Sequence, residues 1–138
     1  ARTDAELRFI AWRSAGENLF MTTAESVGSS MLPHMPVRKP DEPGQFAFAN
    51  KDRMTDILHA SGWHKIHTEA IDVQCSFAEK DLLLYLSRMG PLGRALQQED
   101  EQTRQSVIKV VRHAFEPYVH GEQVSFNAAC WKVTANAT

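Results

Sequence analysis

The chain has 138 residues, 43% of them apolar and 23% charged, with a formal net charge of −2. This length and apolar content suit a single soluble domain that buries roughly two-thirds of its unfolded surface. The charge offers no electrostatic footprint for nucleic acid, and no apolar run approaches the ~18–20 residues needed to cross a bilayer as a helix.

The first residues, Ala1-Arg2-Thr3-Asp4-Ala5-Glu6, lack the basic-then-apolar form of a secretory signal. They include no initiator Met, so the chain reads as a fragment or a processed product. Cys75 and Cys130 fall inside predicted strands and form neither a CxxC nor a metal-ligand spacing with histidine. Buried reduced thiols are the plain reading, and a cytoplasmic location is the expectation that follows.

Leu7 to Trp12 is a short run with apolar residues on both faces apart from Arg8, the pattern of a strand covered on two sides. After a polar turn, Leu19, Phe20, Ala24 and Val27 recur at helical spacing, with Asn18 as the N-cap candidate. From Gly28 the chain changes character. Pro33, Pro36, Pro40 and Pro43 forbid a regular element, so residues 28–45 are expected to form a Pro-rich loop, either a lid or a plain surface excursion. Asn50 then caps a helix whose Met54, Ile57 and Leu58 form one stripe. Gly62 stands where a left-handed C-terminal residue belongs, and Trp63 packs back onto the last turn.

His64 to Phe77 reads as a long strand with Ile71, Val73, Cys75 and Phe77 on one face. Ile66 is out of phase, which a bulge near Thr68 to Ala70 reconciles. One helix is predicted over Glu79 to Met89, stopping at Gly90-Pro91. After a turn at Gly93, a second is predicted from Glu101 to Phe115, with Val107, Val110, Val111, Ala114 and Phe115 inward and its charges placed as the helix dipole prefers. Gln123 to Thr134 is the last strand, apolar on both faces from Ala128 to Val133 and therefore expected in the sheet interior. The order predicts an α/β fold, a small three-stranded mixed sheet with helices packed on it.

That order, with particular residues at particular places, resembles the C-terminal part of the class I, Rossmann-like S-adenosylmethionine-dependent methyltransferases, and within them a bacterial subgroup of the methyltransferase-11/25 type. LRFIAWR at Leu7 to Arg13 is similar to the family's fifth strand, and NLFM at Asn18 to Met21 to the start of the next helix. FAFANKDRMTDILHASGW at Phe46 to Trp63 resembles the helix leading to its sixth strand. LSRMGPLGRAL at Leu86 to Leu96 is similar to a helical insert, and Val124 to Ala135 to strand seven. The resemblance implies a partial methyltransferase fold over residues 1–138, with strand seven antiparallel between strands six and five.

It also implies what is missing. The family holds its cofactor on a Gly-rich turn after the first strand and an acidic residue ending the second. Here Gly16, Gly28, Gly44, Gly62, Gly90, Gly93 and Gly121 include no GxG, and strands one to four have no counterpart. The expectation is S-adenosylmethionine in the full-length protein and no cofactor in this chain. The missing N-terminal half would be its partner, and the acceptor a small molecule.

The family's acceptor lies at the end of strand five, matched here by Trp12, Arg13 and Asn18. Arg13 would orient an anionic or carbonyl-bearing acceptor and Trp12 would wall the pocket; the bland alternatives are an ion pair and core packing. Met31, His34 and Met35 would line the pocket from the Pro-rich loop, unless they are incidental to it. His64 and His67 point to opposite faces of a strand, so no metal site is expected, and Glu69 and Asp72 form no carboxylate pair.

Two other readings stay open: a non-catalytic binding or dimerisation module that keeps part of the fold, and a small-ligand binder gated by the Pro-rich loop. Without strand four, Leu7 to Trp12 would be an open apolar edge, so homo-association through this strand is expected.

Overall fold

The last strand of the chain, β4 (Gln123–Ala137), lies between β1 (Glu6–Trp12) and β2 (Trp63–Ala78). Its interior place follows from its residues: Ala128, Ala129 and Cys130 are buried in succession, so both faces of the strand are covered. The computed structural model describes residues 3–40 and 42–137, so Asp41 of the Pro-rich loop lies outside the described residues. β1 pairs with β4 antiparallel, Glu6 opposite Asn136 and Trp12 opposite Cys130. The two-residue β3 (Val119–His120) pairs with the start of β4 across Gly121, whose φ of 63° supplies the left-handed turn. The sheet is therefore four-stranded and antiparallel, where three mixed strands were expected. The extra strand is too short for a periodicity argument to find.

The helices are α1 (Leu19–Met31), α2 (Lys51–Ala60), α3 (Leu82–Arg88), α4 (Gly90–Leu96) and α5 (Glu101–Ala114), and the chain divides into two compact units. The first unit comprises Ala1–Asn18, Lys39–Val73 and Ala128–Thr138, the second Leu19–Arg38 and Gln74–Asn127.

In the first unit, Met54 and Leu58 of α2 bury against Val133 of β4, flanked by Leu7, Phe9, Trp63, Ile66 and Trp131. The local chemistry of α2 is as its sequence reads. Asn50 Oδ1 accepts from Arg53 N at 3.0 Å, and Gly62 ends the helix at φ 83°. β1 departs from expectation. Leu7 and Phe9 face this core, but Glu6, Arg8 and Ile10 on the other face are exposed, Ile10 by 63%. The strand is covered on one side, and the Arg8–Glu6 ion pair at 2.8 Å lies on the open one. Along β2 the burial alternation changes phase between Thr68 and Ile71, where Glu69 and Ala70 are both exposed.

The second unit is built around Phe20. Its ring stacks on Phe126 at 3.9 Å and 6°, and meets Phe115 and Tyr118 edge-on at 5.1 Å each. Leu82, Leu86, Leu92, Leu96, Val107 and Val111 complete the core. Truncating Phe20 to Ala in such surroundings costs about 3–5 kcal/mol.

Two predicted boundaries and one predicted inward position change here. α1 continues through Gly28 to Met31, with Ser29 and Ser30 hydroxyls donating to the Ser26 and Val27 carbonyls at 2.9 and 2.7 Å. The irregular segment therefore begins at Leu32. Gly28 belongs in the helix because Leu92 Cδ1 stands 2.6 Å from where a Cβ would be. Gly93 is likewise no turn but an α4 residue lying on the Arg88 backbone, whose carbonyl carbon is 2.5 Å from the same position. In α5, Val110 is 46% exposed and Ile108 packs inward in its place.

Candidate functional site

At the end of β1 the backbone leaves the ladder through one more bond, Arg13 N donating to Ala129 O at 2.9 Å. Asn18, 1% exposed, sits behind this point. Its Oδ1 accepts from Ala129 N at 2.8 Å, and its Nδ2 donates to Ala129 O and Ser14 O, each at 3.0 Å, and to Arg13 O at 3.5 Å. Asn18 is thus the clamp that shapes the turn after β1.

The Arg13 guanidinium, 14% exposed, lies 5.8 Å from the Trp131 ring centroid. Nε donates to Glu17 Oε1 at 3.1 Å, one terminal nitrogen donates to Ile71 O at 3.4 Å, and the other stands 3.6 Å from Asp72 Oδ1. Glu17 also accepts from the Ser14 hydroxyl at 2.7 Å and from Ser14 N at 3.2 Å. The Ser14 hydroxyl foremost, then Ser14 N and Arg13, hold the Glu17 carboxyl below the usual carboxylate range. One cation between two carboxylates leaves the cluster net negative. Trp12, beside it, is half-buried opposite Cys130.

Trp12, Arg13 and Asn18 are therefore brought together in the first unit, as their proximity in sequence dictates. Met31, His34 and Met35 belong to the second unit. Met35 is 5% exposed in its core, Met31 packs against that core, and His34 is exposed.

The second unit also contains a pocket of about 500 Å³ that the sequence reading missed. Phe20 and Met21 of α1, Phe77 of β2, Tyr85 of α3 and Phe126 of β4 make its apolar wall, with Leu84 and Met89 beside them and Asp81 and Arg88 as its charged members. The Tyr85 hydroxyl donates to Met21 Sδ at 3.6 Å, and burial raises its pKa above the ordinary phenol value. Four chain segments meet here, so no spacing in the sequence marks the site. Only the inward phase of Phe20 and Phe77 was legible. Among the described residues, no group of three or more His, Cys, Asp or Glu is placed to hold a metal ion, and no helix is long and apolar enough to cross a membrane.

No protein-family model matches the chain, and no curated protein matches it. Among solved structures, it is similar to a candidate methyltransferase from Bacillus halodurans, with 10% sequence identity over 97% of this chain and 56% of that one, at a TM-score of 0.40. The chain thus spans a little over half of that protein's length.

Proposed function

We propose that this chain is the acceptor-side portion of an S-adenosylmethionine-dependent methyltransferase acting on a small molecule, with the cofactor held by a segment outside it. The observation that carries this reading is the strand order β1-β4-β2. The three strands that resemble the family's fifth, seventh and sixth stand side by side in that sequence, although β1 and β4 are separated by more than a hundred residues.

The glycines support a cofactor site elsewhere. Gly28 and Gly93, whose missing Cβ allows a close approach, are approached by Leu92 and by the Arg88 backbone. Gly16, Gly44, Gly62, Gly90 and Gly121 have no protein atom within 4 Å of a Cβ position; of these only Gly16, in the 3-10 segment, lies between a strand and the helix that follows it, and it stands alone there rather than in a Gly-rich turn. With the cofactor held elsewhere in this reading, no step of methyl transfer is assigned to these residues.

Their task in this reading is to position the acceptor and exclude water. Trp12 and Arg13 stand at the carboxyl end of β1, where open α/β sheets place ligands. Because Glu17 and Asp72 already offset the Arg13 charge, the group it would orient is a carbonyl rather than an anion. Asn18 acts through Arg13 by fixing its backbone. The open face and edge of β1 favour a second property, association of two chains through this strand.

Isothermal titration with S-adenosylmethionine and S-adenosylhomocysteine tests the reading, run on this chain and on the complete gene product. No heat from this chain and saturable binding by a longer product are expected. Tight binding by this chain alone would overturn it.

A further inference from the structure

The pocket of the second unit has the size and wall of a small-molecule site. Its volume of about 500 Å³ falls within the roughly 300–1,000 Å³ over which proteins bury drug-sized ligands among apolar and aromatic side chains. Three features narrow the occupant.

The first is ring content. Phe20, Phe77, Tyr85 and Phe126 all contribute to the wall, and the Phe20–Phe126 stack shows that flat-on ring packing is accommodated there. Met21 and Met89 add polarisable sulfur, which packs well on ring edges.

The second is the Tyr85 hydroxyl. Its acceptor is a thioether sulfur at 3.6 Å, a weak partner, and its oxygen lone pairs receive no hydrogen bond among the described residues. A half-buried phenol in an apolar pocket gains from a better partner, and at neutral pH it is a neutral donor, as any phenol is.

The third is charge. Asp81 and Arg88 are the ionisable members besides Tyr85 and cancel one another, so nothing selects a charged ligand. Leu84 and Met89, each 59% exposed, are large apolar side chains that an occupant would cover.

We infer that this pocket binds a neutral, flat ring compound bearing a hydroxyl or carbonyl group that hydrogen-bonds to the Tyr85 hydroxyl. The inference is independent of the cofactor reading, since the site lies within one unit and its test contains no S-adenosylmethionine.

The test titrates the 138-residue chain with 2-naphthol and, separately, with naphthalene, followed by naphthyl fluorescence. 1-Decanol serves as an aliphatic competitor. Saturable one-to-one binding of 2-naphthol is expected, tighter than that of naphthalene and not displaced by equimolar decanol. Tyr85→Phe keeps the ring and is expected to weaken 2-naphthol by about 3- to 10-fold, the value of one net hydrogen bond, while changing naphthalene less than about twofold. Met89→Trp fills the pocket from a position 59% exposed; circular dichroism is expected to show folding unchanged, and saturable binding of both probes is expected to be abolished. The inference fails if wild-type binding does not saturate, if naphthalene binds as tightly as 2-naphthol, if decanol displaces the ring probe, or if neither substitution changes binding. Each of these failures leaves the methyltransferase reading standing, because that reading depends on cofactor titration.

Discussion

The Asn18 side chain closes on both backbone groups of Ala129, Oδ1 accepting from its N–H at 2.8 Å and Nδ2 donating to its carbonyl at 3.0 Å. It acts as one more rung beyond the last β1–β4 pair, Trp12 opposite Cys130, and fixes where the chain turns after the strand.

Replacing Asn18 with Ala leaves the Ala129 N–H and the Ser14 carbonyl without this partner at a buried position. The expected loss is about 1–3 kcal/mol in urea denaturation, the cost of buried backbone groups left unpaired. Asn18→Asp should cost more, because a carboxylate would face the Ser14 and Ala129 carbonyls where Nδ2 now donates.

Two glycines allow a paired comparison. In Gly93→Ala the new methyl meets the Arg88 carbonyl carbon at 2.5 Å, and backbone cannot step aside, so destabilisation of about 1–3 kcal/mol is expected. In Gly28→Ala the obstacle is the end of the Leu92 side chain at 2.6 Å, which a rotamer change relieves. Thermal melts should therefore rank Gly93→Ala below Gly28→Ala, and the reverse order would show that α4 can shift away from Arg88.

Asp100 caps α5, its Oδ1 accepting from Thr103 N at 2.7 Å. That backbone bond first, then the Thr103 hydroxyl, holds the Asp100 carboxyl below its ordinary range. A depressed folded-state pKa means the contribution is present above the unfolded value of about 3.9 and lost as pH falls through the folded one. Urea midpoints measured below about pH 4 should fall with acidification. Asp100→Asn keeps a capping oxygen that does not titrate, so its slope in that window should be shallower. Equal slopes would assign the acid sensitivity to other carboxylates.

Sedimentation velocity at tens of micromolar tests pairing through β1. A concentration-dependent dimer is expected for the native chain, and Ile10→Lys should shift it to monomer by placing a charge on the 63% exposed residue of the edge strand. A native chain that sediments as a monomer throughout rules the pairing out.

The candidate site was legible where its residues are neighbours in sequence. Trp12, Arg13 and Asn18 lie within one turn, so their proximity followed from the end of a strand and the start of a helix. What the sequence left open is that Asn18 reaches Ala129, 111 residues away, and that Asp72 and Ile71 close on Arg13 from β2. The aromatic pocket was invisible for the same reason: a hydrogen bond or ring contact between distant segments has no period along the chain.

The sequence by itself determined the start of α2 at Asn50, its left-handed end at Gly62, and the interior place of β4. Caps and turns are settled by the nearest few residues, and β4 is apolar without a break from Ala128 to Trp131, whereas Arg8 interrupts β1. Only the tertiary structure decided that β1 is covered on one face, that α1 runs through Gly28, and that Gly93 is helical. Those outcomes depend on what packs opposite each residue: core on one side of Phe9, the Leu92 side chain against Gly28, and the Arg88 backbone against Gly93. Apolar pattern states what a residue tolerates, and packing against distant chain chooses among the tolerated places.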